Sequence, residues 1–202
     1  MDVTAYQTDG ALRAYAIERT TKETRISVGL CLDGGEVKVS TGIGFFDHML
    51  TALGFYAGFG LEVKAEGDLQ VDGHHTVEDV GIVLGQAFAR ALGDRAGIRR
   101  FGAAYVPMDE ALCRTVADIS NRPFLVFDAA MPQPMIGDYD SCLTAEFMRA
   151  FAVHAGLTLH QQCLYGANAH HITEALFKSL GLALKDAVRR EGEGVTSTKG
   201  LL

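Results

Sequence analysis

His74-His75-Thr76-Val77-Glu78 and His170-His171-Ile172-Thr173-Glu174 are one arrangement written twice, 96 residues apart. Four of the chain's seven histidines fall inside it. A lone histidine is usually a satisfied core or surface residue. Two adjacent pairs, each with a carboxylate in step, instead supply the imidazole nitrogens and carboxylate oxygens that bind transition metals.

Apolar residues follow each motif at intervals of three and four. They are Val77, Val80, Leu84, Ala87, Phe88 and Ala91 after the first, and Ile172, Leu176, Leu180, Ala183, Leu184 and Val188 after the second. This spacing predicts that each motif opens an amphipathic helix. Successive helical residues turn by about 100°. His74 and Glu78 then share a face and can chelate one ion, as can His170 and Glu174. His75 and His171 point elsewhere and suit another ion, so the motifs predict a paired arrangement with more than one metal ion.

The duplication extends outward. From 74 to 91 against 170 to 187, seven of eighteen positions are identical, among them Leu84/Leu180, Gly85/Gly181, Ala87/Ala183 and Ala91/Ala187. Upstream, at an offset of 98, Ala52 matches Ala150, Ala57-Gly58 matches Ala155-Gly156, and Leu61 matches Leu159. Each half reads helix, strand, loop, then helix. Strand patterns also occur at 24–32, where Ile26, Val28 and Leu30 alternate, at 61–65 and at 123–127. Asp33-Gly34-Gly35 reads as a hairpin turn. These features predict an α+β domain over 1–202, made of internally duplicated half-domains, about 1–98 and 99–202, each a sheet backed by paired helices.

The same alignment sets His48 against Glu146. Each half is therefore expected to contribute its own ligands: His48, His74, His75 and Glu78 from the first, and Glu146, His170, His171 and Glu174 from the second. Asp47-His48 lies between Phe45-Phe46 and Met49-Leu50, where polar groups need partners. Glu146 taken alone reads as a solvated helix carboxylate. His154 and His160 have no aligned counterpart and read as structural.

The net charge of −7 and pI near 5.4 argue against a nucleic-acid or anionic-membrane partner, while leaving room for a local basic pocket. Cys31, Cys113, Cys142 and Cys163 form no Cys-x-x-Cys pair and read as reduced thiols. Residues 1–10 lack an apolar signal core, and the apolar stretch 41–63 is broken by Asp47-His48 and five glycines. A soluble, cytoplasmic protein is expected.

Four stretches carry a family resemblance. They are Thr41-Gly42-Ile43-Gly44-Phe45-Phe46-Asp47-His48-Met49-Leu50, His74-His75-Thr76-Val77-Glu78-Asp79, Asn168-Ala169-His170-His171-Ile172-Thr173-Glu174-Ala175 and Ser197-Thr198-Lys199-Gly200. Together they resemble imidazoleglycerol-phosphate dehydratase, the lyase of histidine biosynthesis that removes water from imidazole glycerol phosphate to give imidazole acetol phosphate. The resemblance runs from about residue 18 to the C-terminus. It implies a ribosomal protein S5 domain 2-like fold, two manganese ions per active site, and a cubic 24-subunit homo-oligomer. The implied route lets a metal-bound imidazolate carry the charge while the hydroxyl leaves through a diazafulvene-like species.

By the same resemblance Glu23, Glu174 and His48 are catalytic candidates. Glu23, Arg100, Arg122, Lys178, Ser197 and Lys199 are candidates for contacting the phosphate substrate. Some of these positions also have plainer readings: Glu23 as an exposed strand residue, Lys178 as an intrahelical salt bridge to Glu174, and 197–200 as a disordered tail. Arg99 and Arg100 are equally placed to reach the phosphate. The chain departs from the family pattern at Gly73, where aspartate is frequent, at Glu146, where several relatives carry histidine, and at Thr198, where serine is frequent.

Rival patterns fit less well. Ferritin-type di-iron proteins use Glu-x-x-His on a four-helix bundle, and zinc hydrolases use His-Glu-x-x-His. Gly42-Ile43-Gly44 lacks the third glycine of a dinucleotide site. A non-catalytic protein whose metals bridge subunits into an assembly remains the alternative from a different class. It explains the histidine pairs but not the Arg and Lys positions.

Overall fold

The computed structural model describes residues 12–202 in full and residues 2–7 as backbone. Much of the 1–10 segment read for a signal core thus lies outside the described residues. The chain runs β1 (Asp2–Gln7), β2 (Ala14–Thr20), β3 (Thr24–Cys31), β4 (Val37–Ser40), α1 (Gly44–Ala57), β5 (Gly60–Gly67) and α2 (His74–Leu92). It continues through β6 (Phe101–Met108), β7 (Ala111–Asp118), β8 (Phe124–Asp128), the short β9 (Met135–Ile136) and β10 (Tyr139–Asp140), α3 (Leu143–Ala155), β11 (Thr158–Tyr165) and α4 (Ala169–Ala187).

The two large sheets have the orders β1-β2-β3-β5-β4 and β6-β7-β11-β8. Setting β1 aside, β2-β3-β5-β4 and β6-β7-β11-β8 are one topology used twice. In both, the last pair is parallel and the others antiparallel. The helices repeat too, α1-β5-α2 answering α3-β11-α4. This is the duplicated α+β architecture that the motifs predict.

One local expectation fails. Asp33-Gly34-Gly35 turns the chain, but β3 and β4 are not hairpin partners, because β5 lies between them. The glycines serve a close crossing instead. A Cβ on Gly60 would stand 2.7 Å from the Gly34 carbonyl oxygen, and one on Gly35 would stand 3.0 Å from the Gly60 Cα.

Strand alternation positions the core. In β3, Thr24, Ile26, Val28 and Leu30 face inward, and in β7, Ala111, Cys113, Thr115 and Ala117 do. Burying a side chain such as Ile26 or Val28 stabilises the fold by about 1.5–3 kcal/mol. Helix α2 covers β2, β3 and β5, and α4 covers β6, β7 and β11. The closest helix pairs, however, are α2 with α3 and α1 with α4, so each pairing crosses between halves.

The repeated glycines explain that crossing. A Cβ on Gly85 would meet the Phe151 carbonyl oxygen at 2.8 Å, and one on Gly181 would meet that of Leu53 at 2.8 Å. Each helix lays a bare backbone stretch against the other half's upstream helix. The result is a main apolar core that includes Phe46, Phe88, Phe147, Phe151 and Phe177 from all four helices, beside a smaller one of Val106, Ala111, Cys113, Ile172, Ala175 and Leu176 under α4. Among the described residues, no helix is long and apolar enough to cross a membrane.

Candidate metal centre and active site

Both motifs open helices, as their spacing predicts. The entry to α4 is capped by Asn168, whose Oδ1 accepts from the His170 backbone N–H at 2.9 Å. At α2, Asp72 Oδ1 accepts from the His74 N–H at 2.7 Å. Because α1 packs on α4, His48 comes to His170 and Glu174, with ligand atoms all within 4.8 Å of one another. Glu174 Oε2 lies 3.2 Å from His170 Nε2 and 3.5 Å from His48 Nε2. The Phe45 ring stands edge-on to His170, centroids 4.9 Å apart.

Lys178 decides which oxygen of Glu174 is available. Its ammonium lies 2.7 Å from Oε1, leaving Oε2 to face the two imidazoles. Burial alone would raise the Glu174 pKa, but Lys178 and then His48 outweigh it and hold the carboxyl below its ordinary value. Burial likewise pulls Lys178 down, and Glu174 more than restores it.

The second cluster is His74 and Glu78 from α2 with Glu146 from α3, again within 4.8 Å. His74 Nε2 stands 3.8 Å from Glu78 Oε2. Each half contributes ligands, as the alignment led one to expect, but the clusters are shared between halves. His48 serves the second half's motif and Glu146 the first half's, because the glycine contacts pair α1 with α4 and α2 with α3. Glu146 is not simply solvated either; it faces Glu78 and His74 across a helix interface.

His75 and His171 stand outside both clusters, and each is held by a carboxylate at Nδ1. Asp68 Oδ2 is 3.0 Å from His75 Nδ1, and Glu110 Oε2 is 2.6 Å from His171 Nδ1. A carboxylate there favours the Nδ1–H tautomer and leaves the lone pair on Nε2, which stands 3.9 Å from Glu23 Oε1 in His75 and 3.6 Å from Asp109 Oδ2 in His171. Asp68 and Glu110 raise the pKa of their histidines, and the His171 contact, with the Ala167 N–H, brings Glu110 down to about 2. No spacing rule reaches these two acids. Asp68 lies in the loop before α2, and Glu110 in the β6–β7 turn 61 residues from its histidine. Glu23 sits in the β2–β3 turn rather than on a strand, half-exposed, with Oε1 3.9 Å from His75 Nε2.

The remaining histidines stay apart from both clusters. His154 Nδ1 contacts the Ala150 carbonyl at 2.9 Å, and His160 is exposed on β11.

Arg100, Arg122, Ser197 and Lys199 line one open pocket of about 790 Å³ with Ser120 and Asn121. Arg100 is held by Asp118 at 2.7 Å and donates to the Thr196 carbonyl at 2.7 Å. Arg99 turns away to Asp186 at 3.0 Å, so of the two it is Arg100 that faces the pocket. Lys178 is not in this pocket; it sits on Glu174. The C-terminal segment is tied across the pocket's edge, with Thr196 Oγ1 donating to the Ile98 carbonyl and the Gly97 N–H to that of Gly194.

Comparison with known proteins now bears on the chain. The family model described as imidazoleglycerol-phosphate dehydratase matches residues 41–184. The chain belongs to this family. The dehydratase of Exiguobacterium sp. is 54% identical over 191 residues, covering 94% of this chain and 98% of that one. That of Gluconobacter oxydans is 56% identical over 190 residues, covering 92% and 96%. Among solved structures, the Staphylococcus aureus dehydratase superimposes with a TM-score of 0.81 at 38% identity, covering 88% of this chain and 99% of that one. The Pyrococcus furiosus enzyme does so at 0.81 and 42%, covering 92% and 99%.

Imidazoleglycerol-phosphate dehydratases are hydro-lyases of histidine biosynthesis, and the site here suits such chemistry. Both clusters combine imidazole and carboxylate donors, a set that fits a divalent first-row cation. The departures from the family pattern have local settings. A Cβ at Gly73 would stand 3.1 Å from Ile43 Cδ1 and 3.2 Å from Leu143 Cδ1, and Asp72 next to it accepts from the His74 N–H. Thr198 keeps a hydroxyl within the pocket lining.

Proposed function

We propose that the chain is a manganese-dependent dehydratase that works as one catalytic domain over 1–202, built of halves about 1–98 and 99–202. Two manganese ions serve each active site. The observation that carries this reading is the pair of histidine–carboxylate clusters at the openings of α2 and α4. His48, His170 and Glu174 hold one ion, and His74, Glu78 and Glu146 the other. Bound manganese supplies Lewis acidity at the substrate's imidazole ring, so that the ring can accept the charge left by a departing proton.

The residues divide the remaining work. Glu174, kept ionised by Lys178, serves chiefly as a ligand, and Lys178 acts through it. Glu23, solvent-accessible beside His75, moves the proton between carbon and solvent, and His48 orients the ring next to Glu174. Arg100, Arg122, Ser197 and Lys199 bind the phosphate through charge-assisted hydrogen bonds, closing the substrate's far end. His75 and His171 belong to neither of their own chain's clusters. They complete the sites of a neighbouring copy, so self-association into a 24-subunit homo-oligomer builds the active centre. The setting is cytoplasmic histidine biosynthesis. A purely metal-bridged assembly would need no convergence of Arg100, Arg122 and the tail.

Turnover of imidazole glycerol phosphate by chelator-stripped protein, with and without added manganese, tests the reading. Product should form only with the metal. Turnover by stripped protein would overturn the metal role, and none by loaded, folded protein would overturn the activity.

A further inference from the structure

The two clusters are unequal in charge. His48, His170 and Glu174 carry one carboxylate, with Lys178 on it. His74, Glu78 and Glu146 carry two, and Arg149 lies across both, touching Glu146 and reaching Glu78 at 3.5 Å. The two cations are also held differently. The Lys178 ammonium is enclosed by Glu174, the Met108 sulfur at 3.6 Å and the Tyr56 ring at 5.4 Å, and its side chain is 15% exposed. The Arg149 side chain is 52% exposed, and its ion pairs among the described residues are with these two carboxylates.

An ordinary surface pair at i,i+3 would join Arg149 to Glu146 alone and contribute little. This one crosses from α3 to α2, so the guanidinium stands where a cation bridging Glu78 and Glu146 stands. The extra carboxylate and the arginine that balances it therefore belong to one arrangement.

We infer that Arg149 is a displaceable counter-ion of the second metal site, which holds Glu78 and Glu146 together and competes with the incoming divalent cation. The inference rests on the two-ion reading above. Lys178 keeps to the oxygen of Glu174 that faces away from the imidazoles, so the first site loads without expelling a group. The second loads only as Arg149 swings into solvent, which its exposure allows. The sites thus differ in affinity. The second, with two hard oxygen donors to one imidazole, favours manganese or magnesium over softer, nitrogen-seeking ions more strongly than the first.

The test is a manganese titration of metal-free, full-length protein, followed by calorimetry and by the paramagnetic signal of free manganese. Wild-type protein should show two classes of site. Removing a unit positive charge that stands 3.5 Å from Glu78 and in contact with Glu146, in a half-exposed position, should tighten the weaker class by on the order of tenfold in Arg149→Ala. The tighter class should not move, and Arg149→Lys should stay close to wild type. A weaker class that is unchanged or loosened in Arg149→Ala, or a single class in the wild type, would overturn the inference and leave the two-ion reading standing. Wild-type protein that binds no manganese would overturn both.

Discussion

Asp68 and Glu110 do for their histidines what neither residue could do alone. Each accepts a hydrogen bond from Nδ1–H and leaves Nε2 with the lone pair. His75→Ala and His171→Ala should each lower manganese content and abolish turnover, while His154→Ala, whose ring only contacts a backbone carbonyl, should do neither. Asp68→Ala should weaken manganese binding by roughly 10–100-fold, and Asp68→Asn, which keeps an acceptor, by less. Metal analysis after gel filtration and steady-state assays check both series. At this scale the chain was legible where helical spacing or the internal alignment spoke: His74 with Glu78, His170 with Glu174, and His48 and Glu146 as equivalent positions. Asp68 and Glu110 were not, because they reach the imidazoles from loops whose course depends on the whole fold.

Between elements, the decisive contacts are backbone to backbone. Gly181→Ala places a methyl 2.8 Å from the Leu53 carbonyl and 3.0 Å from the Ala57 nitrogen. It should destabilise the protein by about 1–3 kcal/mol. It should also loosen the first metal site, since it pushes α1 and His48 away from α4; denaturant unfolding and manganese titration together read this. A second link ties three segments. Arg13 pairs with Asp33 at 2.6 Å and donates to the Val188 carbonyl at the end of α4. The Arg13 hydrogen bond lowers the Asp33 pKa, against the opposing effect of burial. A lowered carboxylate contributes stability above its unfolded value, near 3.9, and loses it as pH falls through the folded value. Asp33→Asn should therefore cost about 1 kcal/mol at neutral pH and nothing in strong acid, by urea unfolding across pH.

Helices α2 and α4 were readable because their amphipathic stretches repeat a clear 3.6-residue period, and α1 and α3 through the internal alignment. Strands β2, β6 and β7 were not singled out. The stretch Gly102-Ala103-Ala104 in β6 is small-residued and lacks the bulky alternation that marks β3. The glycine repeat was visible as identity, but identity alone does not say which helix a glycine meets. For that reason the exchange of partners between halves was missed.

Across the whole molecule, duplication and crossing make a main core and two candidate metal clusters, while the basic pocket lies where the C-terminal segment returns to Arg100. The fold class and the duplicated halves were legible from the repeat. The gathering of Arg100, Arg122, Ser197 and Lys199 was legible only through family resemblance, because these residues are far apart in sequence and share no period. Deleting residues 195–202 should raise KM for the phosphate substrate by at least about tenfold, as two charge-assisted contacts are lost. Manganese content should be unchanged, which separates the pocket from the metal clusters.

Helices crossed between duplicated halves should build two metal sites, which anomalous diffraction from manganese-loaded crystals would locate. Two manganese peaks per chain are expected, one among His48, His170 and Glu174 and one among His74, Glu78 and Glu146. A single peak, or peaks bound by His48 together with His74 and Glu78 of the same half, would contradict this arrangement.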